Sequence, residues 1–337
     1  MDFQSFLYAS PRTLTISTTY QCTAACKNCC VRCTPDVKQL LDFSSLKSII
    51  DEVLHSFDSV EVVVFTGGES FLLGDSLVDA VKYVKERGLV SRVVTNAYWA
   101  VSYDKAVSTL RPLVEAGLTE INYSTGDDHQ VFVPLQNIVN ATLAADDLNL
   151  ETIVINIESH PNAFFTSSNF RQIESMQRLI LNKKVMVIQG AWLSMTDSKS
   201  AVPPLFDSRE SRPCTNIFQG VVVNPYFEVL ACCGLTAEYN GFLKIGRLGD
   251  KPLREIWEKQ FFDFFKIWVS VDGPRVIYEK LCKKKGIQPL YFNHECGYCY
   301  QIGKMEDVEH YLRDLYEEEK DRVMLHYQLQ NKHLKIK

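Results

Sequence analysis

The stretch Arg12-Thr13-Leu14-Thr15-Ile16-Ser17-Thr18-Thr19-Tyr20-Gln21-Cys22-Thr23-Ala24-Ala25-Cys26-Lys27-Asn28-Cys29 begins as a β-branched run and ends as a C-x3-C-x2-C triplet. Residues 12–18 read as a strand, so the cysteine loop begins just beyond a strand end. Five further runs of the same kind follow, at 60–66, 90–95, 119–124, 151–157 and 185–191. Helical patterns lie between them at 43–57, 75–87, 103–116 and 131–146, and in the first of these Leu46, Ile49, Ile50, Val53 and Leu54 share one face. Gly88 and Gly117 stand where helix C-caps belong. Strands alternating with helices require right-handed crossovers and a parallel sheet. Six such units predict an α/β fold, a partial (β/α)6 barrel with its reactive residues at the C-terminal ends of the strands.

The rhythm stops near residue 197. A polar, proline-bearing segment at 197–213 precedes a hairpin pattern, 220–223 and 227–231 around Asn224-Pro225-Tyr226. This predicts a barrel over 1–200, a second unit over 201–303 and a helical tail over 304–337 that packs on the rest. The first strand starts by about residue 12, which leaves no room for a separate leader-peptide domain before it.

Ordinary hydrophobic (46%) and charged (23%) fractions exclude disordered and low-complexity classes. With 41 acidic against 36 basic residues and no basic block before the weak run at 332–337, nucleic acid is not an expected partner. No stretch reaches the roughly 20 apolar residues of a membrane span, and Met1-Asp2-Phe3-Gln4 does not open a signal segment. A cytoplasmic protein is expected, and there eleven cysteines point to metal ligation or catalysis rather than disulfides.

Soft thiolates select iron-sulfur clusters, zinc or copper. An iron-sulfur cube takes four cysteines, so three on one loop leave an iron open to a substrate or cofactor. Cys30 and Cys33, beside the triplet, read either as buried small apolar residues or as catalytic thiols.

The loop resembles that of the radical SAM superfamily, whose C-x3-C-x2-C follows the first strand of a partial barrel and whose open iron binds S-adenosyl-L-methionine. The resemblance implies that Cys22, Cys26 and Cys29 hold a [4Fe-4S] cluster. Gly67-Gly68-Glu69, after the second strand, is similar to the family's G-G-E motif, with glycines that admit the ligand and a Glu69 carboxylate that receives the methionine ammonium. Thr95-Asn96-Ala97 resembles its T-N-G element, with alanine in place of glycine, and makes Asn96 a candidate ribose contact. Ser124, at the fourth strand's end before Gly126-Asp127-Asp128-His129, is a candidate for ribose or methionine carboxylate.

The other cysteines are Cys214, the pair Cys232-Cys233, Cys282, Cys296 and Cys299. Cys214, Cys232, Cys296 and Cys299 have the makings of a four-thiolate shell, and tetrahedral zinc fits their spacing as well as a cluster does. Cysteine, hairpin, cysteine, then Ile245-Gly246-Arg247-Leu248 and Leu253-Arg254-Glu255-Ile256-Trp257 is similar to the SPASM and twitch extensions of peptide-modifying radical SAM enzymes, which implies an auxiliary iron-sulfur cluster. The ligands suffice for one [4Fe-4S] cluster and leave Cys233 over.

The cysteine pattern from Cys22 to Pro35, the Cys232-Cys233 pair and the late C-x2-C look most like the epipeptide epimerases. That resemblance implies a ribosomal precursor peptide as substrate and an electron donor such as flavodoxin or ferredoxin. A deoxyadenosyl radical derived from S-adenosylmethionine takes a Cα hydrogen, and the Cys233 thiol returns one from the opposite face. The competing reading keeps the first step but couples the radical to a side chain, making a carbon-carbon or thioether crosslink.

Overall fold

The computed structural model describes residues 10–159, 163–191, 211–292 and 294–334. Strands β1 (Thr13–Thr19), β2 (Val62–Gly67), β3 (Val90–Thr95), β4 (Glu120–Thr125), β5 (Thr152–Ser159) and β6 (Val185–Ala191) pair in parallel, each with the next. The intervening helices are α1 (Phe43–Ser56), α2 (Asp75–Glu86), α3 (Tyr103–Glu115), α4 (Asp127–Gln130), α5 (Leu135–Asp147), α6 (Ser167–Arg171) and α7 (Glu174–Leu181). The expected α/β partial barrel is what forms.

Period-two alternation sorts the strand residues. Tyr123 is fully buried and donates its hydroxyl to the Ala141 carbonyl of α5, so its face of β4 meets the helices. Glu120, Asn122 and Ser124 therefore face the lumen, where Glu120 pairs with Arg92 of β3 at 2.8 Å. Leu14, Ile16, Val63, Phe65, Val93 and Ile121 fill the layer between sheet and helices.

Gly88 and Gly117 follow α2 and α3 with φ of 71° and 99°, as left-handed C-terminal positions require. The helix expected at 131–146 starts later, at Leu135, and a separate short helix precedes the expected range. Pro134 lacks an N–H and stands as the N-cap of α5, which leaves Asp127–Gln130 as a separate turn of helix after β4.

Beyond the barrel, β7 (Gly220–Val223) and β8 (Glu228–Leu230) form the hairpin, and β9 (Lys244–Arg247) extends it. Among the described residues the nine strands make one sheet, in the order β6-β5-β4-β3-β2-β1-β7-β8-β9. β7 lies parallel to β1, with Leu14 opposite Val221 and Ile16 opposite Val223. The hairpin thus continues the barrel's own sheet, while the boundary expected near residue 200 falls outside the described residues.

Helices α8 (Leu253–Glu258), α9 (Phe264–Asp272), α10 (Pro274–Lys285), α11 (Glu295–Lys304) and α12 (Val308–Leu334) complete the chain. Trp257 of α8, 2% exposed, sets its ring edge-on to Phe57 at the end of α1 (5.3 Å) and to Phe261 (5.0 Å). Such pairs contribute about 0.5–1.5 kcal/mol each beyond area burial, and the pair with Phe57 fastens the C-terminal part to the barrel's first helix. The tail helix α12 packs on α9 and α10, burying Leu315, Val323 and Tyr327. No helix of the described residues is long and apolar enough to cross a membrane.

Candidate functional site

The cysteine loop leaves β1 at its C-terminal end and is held by the ends of the neighbouring strands. Gly68 donates its N–H to the Thr19 carbonyl at 2.7 Å, and Glu69 donates to the Gln21 carbonyl at 2.9 Å. A Cβ on Gly67 would lie 2.3 Å from the Thr19 oxygen, and one on Gly68 would lie 2.0 Å from the Gln21 oxygen. The two glycines therefore admit the backbone of residues 19–21, immediately before Cys22.

Glu69 is fully buried. Its Oε1 accepts from Phe71 N–H (3.0 Å) and the Thr95 hydroxyl (2.8 Å), and its Oε2 accepts from Asn96 N–H (2.8 Å). These bonds tie the end of β2 to the end of β3 through the Glu69 carboxylate, the residue expected to receive the methionine ammonium. Burial pushes its pKa up to about 7, partly offset by those three donors. The unfolded chain, with an ordinary value of 4.5, gives up this proton first. Stability therefore falls as pH rises from the unfolded value through the folded one, by up to about 3 kcal/mol. Denaturant titrations of the apoprotein across that window are expected to show this slope in the wild type and a flatter one in Glu69→Gln.

Asn96 is 5% exposed and also faces inward. Its Nδ2 donates to Thr23 Oγ1 (3.1 Å) and to Cys22 Sγ (3.7 Å), so it supports the cysteine loop directly. Ala97, in the place of the family's glycine, still takes the left-handed conformation, with φ of 58°. The substitution keeps the shape of the turn at a strain of about 1 kcal/mol. Ser124 lies on the lumen face, in register with Asn156 of β5.

A second anchor comes from the end of β4. Asp128 Oδ2 accepts from both Asn28 N–H (2.9 Å) and Asn28 Nδ2 (2.8 Å), holding the loop between Cys26 and Cys29. Asp128 is itself held, because Glu158 at the end of β5 accepts its N–H and pairs with His129 Nδ1 at 2.8 Å. Sequence reasoning passed over Asn28, Asp128, His129 and Glu158; an Asp-Asp-His run at a barrel strand's C-terminal end was the available signal. Asp128→Ala is expected to cost about 1.5–3 kcal/mol in lost charge-assisted bonds. Denaturant unfolding of the variant against the wild type reads this difference.

The three thiols differ in their surroundings. Cys22 Sγ accepts from Ala24 N–H (3.5 Å), and Cys29 Sγ accepts from Cys33 N–H (3.3 Å). The Cys33 side chain, by hydrogen bonding to Cys29, brings the Cys29 pKa down to about 6, whereas burial raises Cys22 to about 11 and Cys26 further. N–H donors aimed at sulfur suit ligating thiolates.

Cys214, Cys232, Cys296 and Cys299 line one enclosed pocket together with Gly234 and Glu295. A Cβ on Gly234 would stand 3.2 Å from Cys296 Sγ and 3.3 Å from Cys232 Sγ, so only glycine leaves the space between the two sulfurs open. Among the described residues no three Cys, His, Asp or Glu side chains converge on a single-ion site. Four thiolates around one pocket are the donor set of a [4Fe-4S] cluster and equally of a tetrahedral zinc ion.

Between this pocket and the first loop lies a cavity of about 210 Å³, lined by Cys30, Thr66, Gly67, Cys232, Cys233 and Glu238 among others. Cys232 is buried and borders both spaces. Cys233 is exposed and borders the cavity, and the enclosing protein raises its thiol pKa. Cys282 is buried in α10, apart from both sets.

A cysteine triplet at the mouth of a six-unit partial barrel thus stands beside a second four-cysteine pocket. Among solved structures, the fold is similar to that of native anSMEcpe with bound AdoMet (TM-score 0.56, 14% identity, 94% of this chain and 100% of that one). It is also similar to anSMEcpe with bound AdoMet and Cp18Cys peptide (TM-score 0.53, 13% identity, 94% of this chain and 99% of that one). By sequence the chain is similar to YydG of Bacillus subtilis (strain 168), named as a peptide biosynthesis protein. Identity there is 22% over 129 residues, which span 38% of this chain and 40% of the relative's length. No family model matches.

Proposed function

We propose that this chain is a radical SAM maturase of a ribosomally made precursor peptide, and that it inverts L residues to D. The observation that carries the reading is the division of labour within the Cys232-Cys233 pair. Cys232 turns toward the pocket of Cys214, Cys296 and Cys299, while its neighbour is exposed on the reaction cavity. A thiol there that belongs to no ligand set is suited to return a hydrogen atom. The likeness to anSMEcpe, which binds AdoMet and a peptide, and to YydG supports a peptide as the substrate.

In this reading Cys22, Cys26 and Cys29 hold a [4Fe-4S] cluster with S-adenosyl-L-methionine, and Cys214, Cys232, Cys296 and Cys299 hold one auxiliary [4Fe-4S] cluster. The bound first cluster and cofactor supply a deoxyadenosyl radical capable of removing a Cα hydrogen. The chain's residues do the rest. Gly67, Gly68, Glu69 and Asn96 set the first loop, and Ser124 stands on the lumen face for a ribose or carboxylate contact. Thr66 and Cys30 wall the cavity on the loop side and Cys233 walls it on the hairpin side. A Cα centre between those walls would lose its hydrogen on one face and, once planar, gain one on the other, and that geometry is what would invert it. A flavodoxin or ferredoxin fits the need for single electrons.

Mass spectrometry of a candidate precursor, incubated anaerobically with reconstituted enzyme in deuterated water, tests this. One deuterium at Cα and a D residue after hydrolysis are the expected result. Loss of two hydrogens without deuterium would replace the epimerase by a crosslinking cyclase.

A further inference from the structure

Parallel strands covered by helices are built from apolar, β-branched residues, and a charged side chain in the middle of one is uncommon. Arg92 is such a residue. Its neighbours Ser91 and Val93 are buried on the helix face of β3, while the Arg92 side chain points into the lumen and stays 39% exposed. Strand register places it on a row that crosses the sheet: Val222 beside Thr15, Thr15 beside Val64, Val64 beside Arg92 and Arg92 beside Glu120. Val222 and Thr15 line the cavity that Cys233 borders, so the row leads from the cavity wall to the guanidinium. Burial raises the Cys233 thiol, and the Arg92 charge is felt there as a partial offset.

The head group is braced from one side. Nε stands 2.8 Å from Glu120 Oε1, and Nη2 donates to Glu120 Oε2 at 2.9 Å. Asn122 Nδ2 donates to Glu120 Oε1 at 2.9 Å, which fixes that carboxylate from its own strand as well. The fork occupies Nε and one edge of Nη2, and among the described residues nothing accepts from Nη1. A guanidinium with a fixed plane and unspent donors is a preorganised binding group. Glu120 already neutralises its charge. A second carboxylate would meet Glu120 at close range, whereas a neutral oxygen acceptor would not.

We infer that Arg92 holds the peptide backbone at the reaction cavity, through hydrogen bonds from its Nη1 edge to the carbonyl oxygen of the residue that is inverted. This rests on the reading of Cys233 as the hydrogen donor and names a substrate contact of that same site. A Cα that has lost its hydrogen is planar with its carbonyl, and the unpaired electron spreads onto the carbonyl oxygen. An oxygen held by the fixed plane of Arg92 therefore fixes the plane of the carbon, with one face turned to Cys233. Glu120 and Asn122 are positioning residues, which set the guanidinium and touch no substrate.

The test is a two-by-two comparison on full-length reconstituted enzyme. In the peptide, an ester replaces the amide bond that follows the inverted residue, which makes that residue's carbonyl a weaker acceptor. In the protein, Arg92→Gln is combined with Glu120→Gln, so that no charge is left unpaired. The ester is expected to lower kcat/KM for D-residue formation about tenfold more in the wild type than in the double variant, at equal iron content. Loss of the amide N–H falls on both enzymes and cancels. Arg92→Lys is the second variant: an ammonium keeps the ion pair with Glu120 but not the planar fork, and the extra sensitivity to the ester should vanish there too. Anisotropy of fluorescein-labelled amide and ester peptides gives the same comparison as binding constants, so a variant that makes no D residue still answers. An equal cost of the ester in the wild type and in either variant would overturn the role of Arg92 alone. Absence of any D residue from the wild type would overturn the epimerase reading, and this contact with it.

Discussion

Cys233→Ala is expected to cleave S-adenosylmethionine and take hydrogen from the peptide, yet to yield no D residue above background. A loss of at least about 100-fold is the scale on which a positioned transfer group acts. The side chain is exposed on the cavity and separate from the four-cysteine pocket, so its removal should leave iron content unchanged. Cys232→Ala is the counterpart: it should lose the second pocket's iron. Deoxyadenosine release, chiral amino-acid analysis and iron assay together separate the two variants. A Cys233→Ala enzyme that still makes D residues at the wild-type rate would remove this thiol from the reaction.

The second large effect belongs to Gly68. An alanine there would put its Cβ 2.0 Å from the Gln21 carbonyl oxygen and 2.6 Å from the carbonyl carbon, and both are backbone atoms that no rotamer change can move. Overpacking against a fixed backbone costs about 1–3 kcal/mol and occasionally more. The displaced segment leads directly into Cys22. Gly68→Ala is expected to fall at the upper end of that range in denaturant unfolding and to load little iron on the first loop. Gly241→Ala, where an added Cβ meets nothing within 4 Å, is the control and should stay within about 0.5 kcal/mol of the wild type. Equal midpoints for the two variants would contradict the tight approach of the Gly67-Gly68 turn to residues 19–21.

Much of this architecture was legible in the residues. All six barrel strands stand where β-branched runs alternate with helical patterns, because parallel strands buried against helices need that composition. Two things escaped. α9 and α10 were not read, and the reason is visible in α9, where Phe265, Lys266, Ile267, Trp268, Val269 and Val271 are all buried, so no polar face marks the period. The extension of the barrel sheet by the hairpin also escaped, since nothing in the composition of residues 220–223 names β1 as their neighbour. At the site, the spacing of Cys22, Cys26 and Cys29 and the gathering of four late cysteines could be anticipated. The direction in which Glu69 and Asn96 point could not. Both are decided by hydrogen bonds between strand ends distant in the chain, and a motif specifies which residues are present without specifying which way they face.

The pairing of β1 with β7 has a consequence for how the chain is made. Residues 13–16 leave the ribosome long before residues 220–223 exist, so for most of synthesis β1 has β2 on one side and an unpaired edge on the other. Exposed edges of this kind template association with other chains, and non-local parallel pairing is slow to form. The nascent protein therefore carries its cysteine loop beside an open sheet until the hairpin arrives. Expression conditions that slow translation of the second half should favour aggregates seeded at the N-terminal strand, and delivery of iron is best matched to the completed chain.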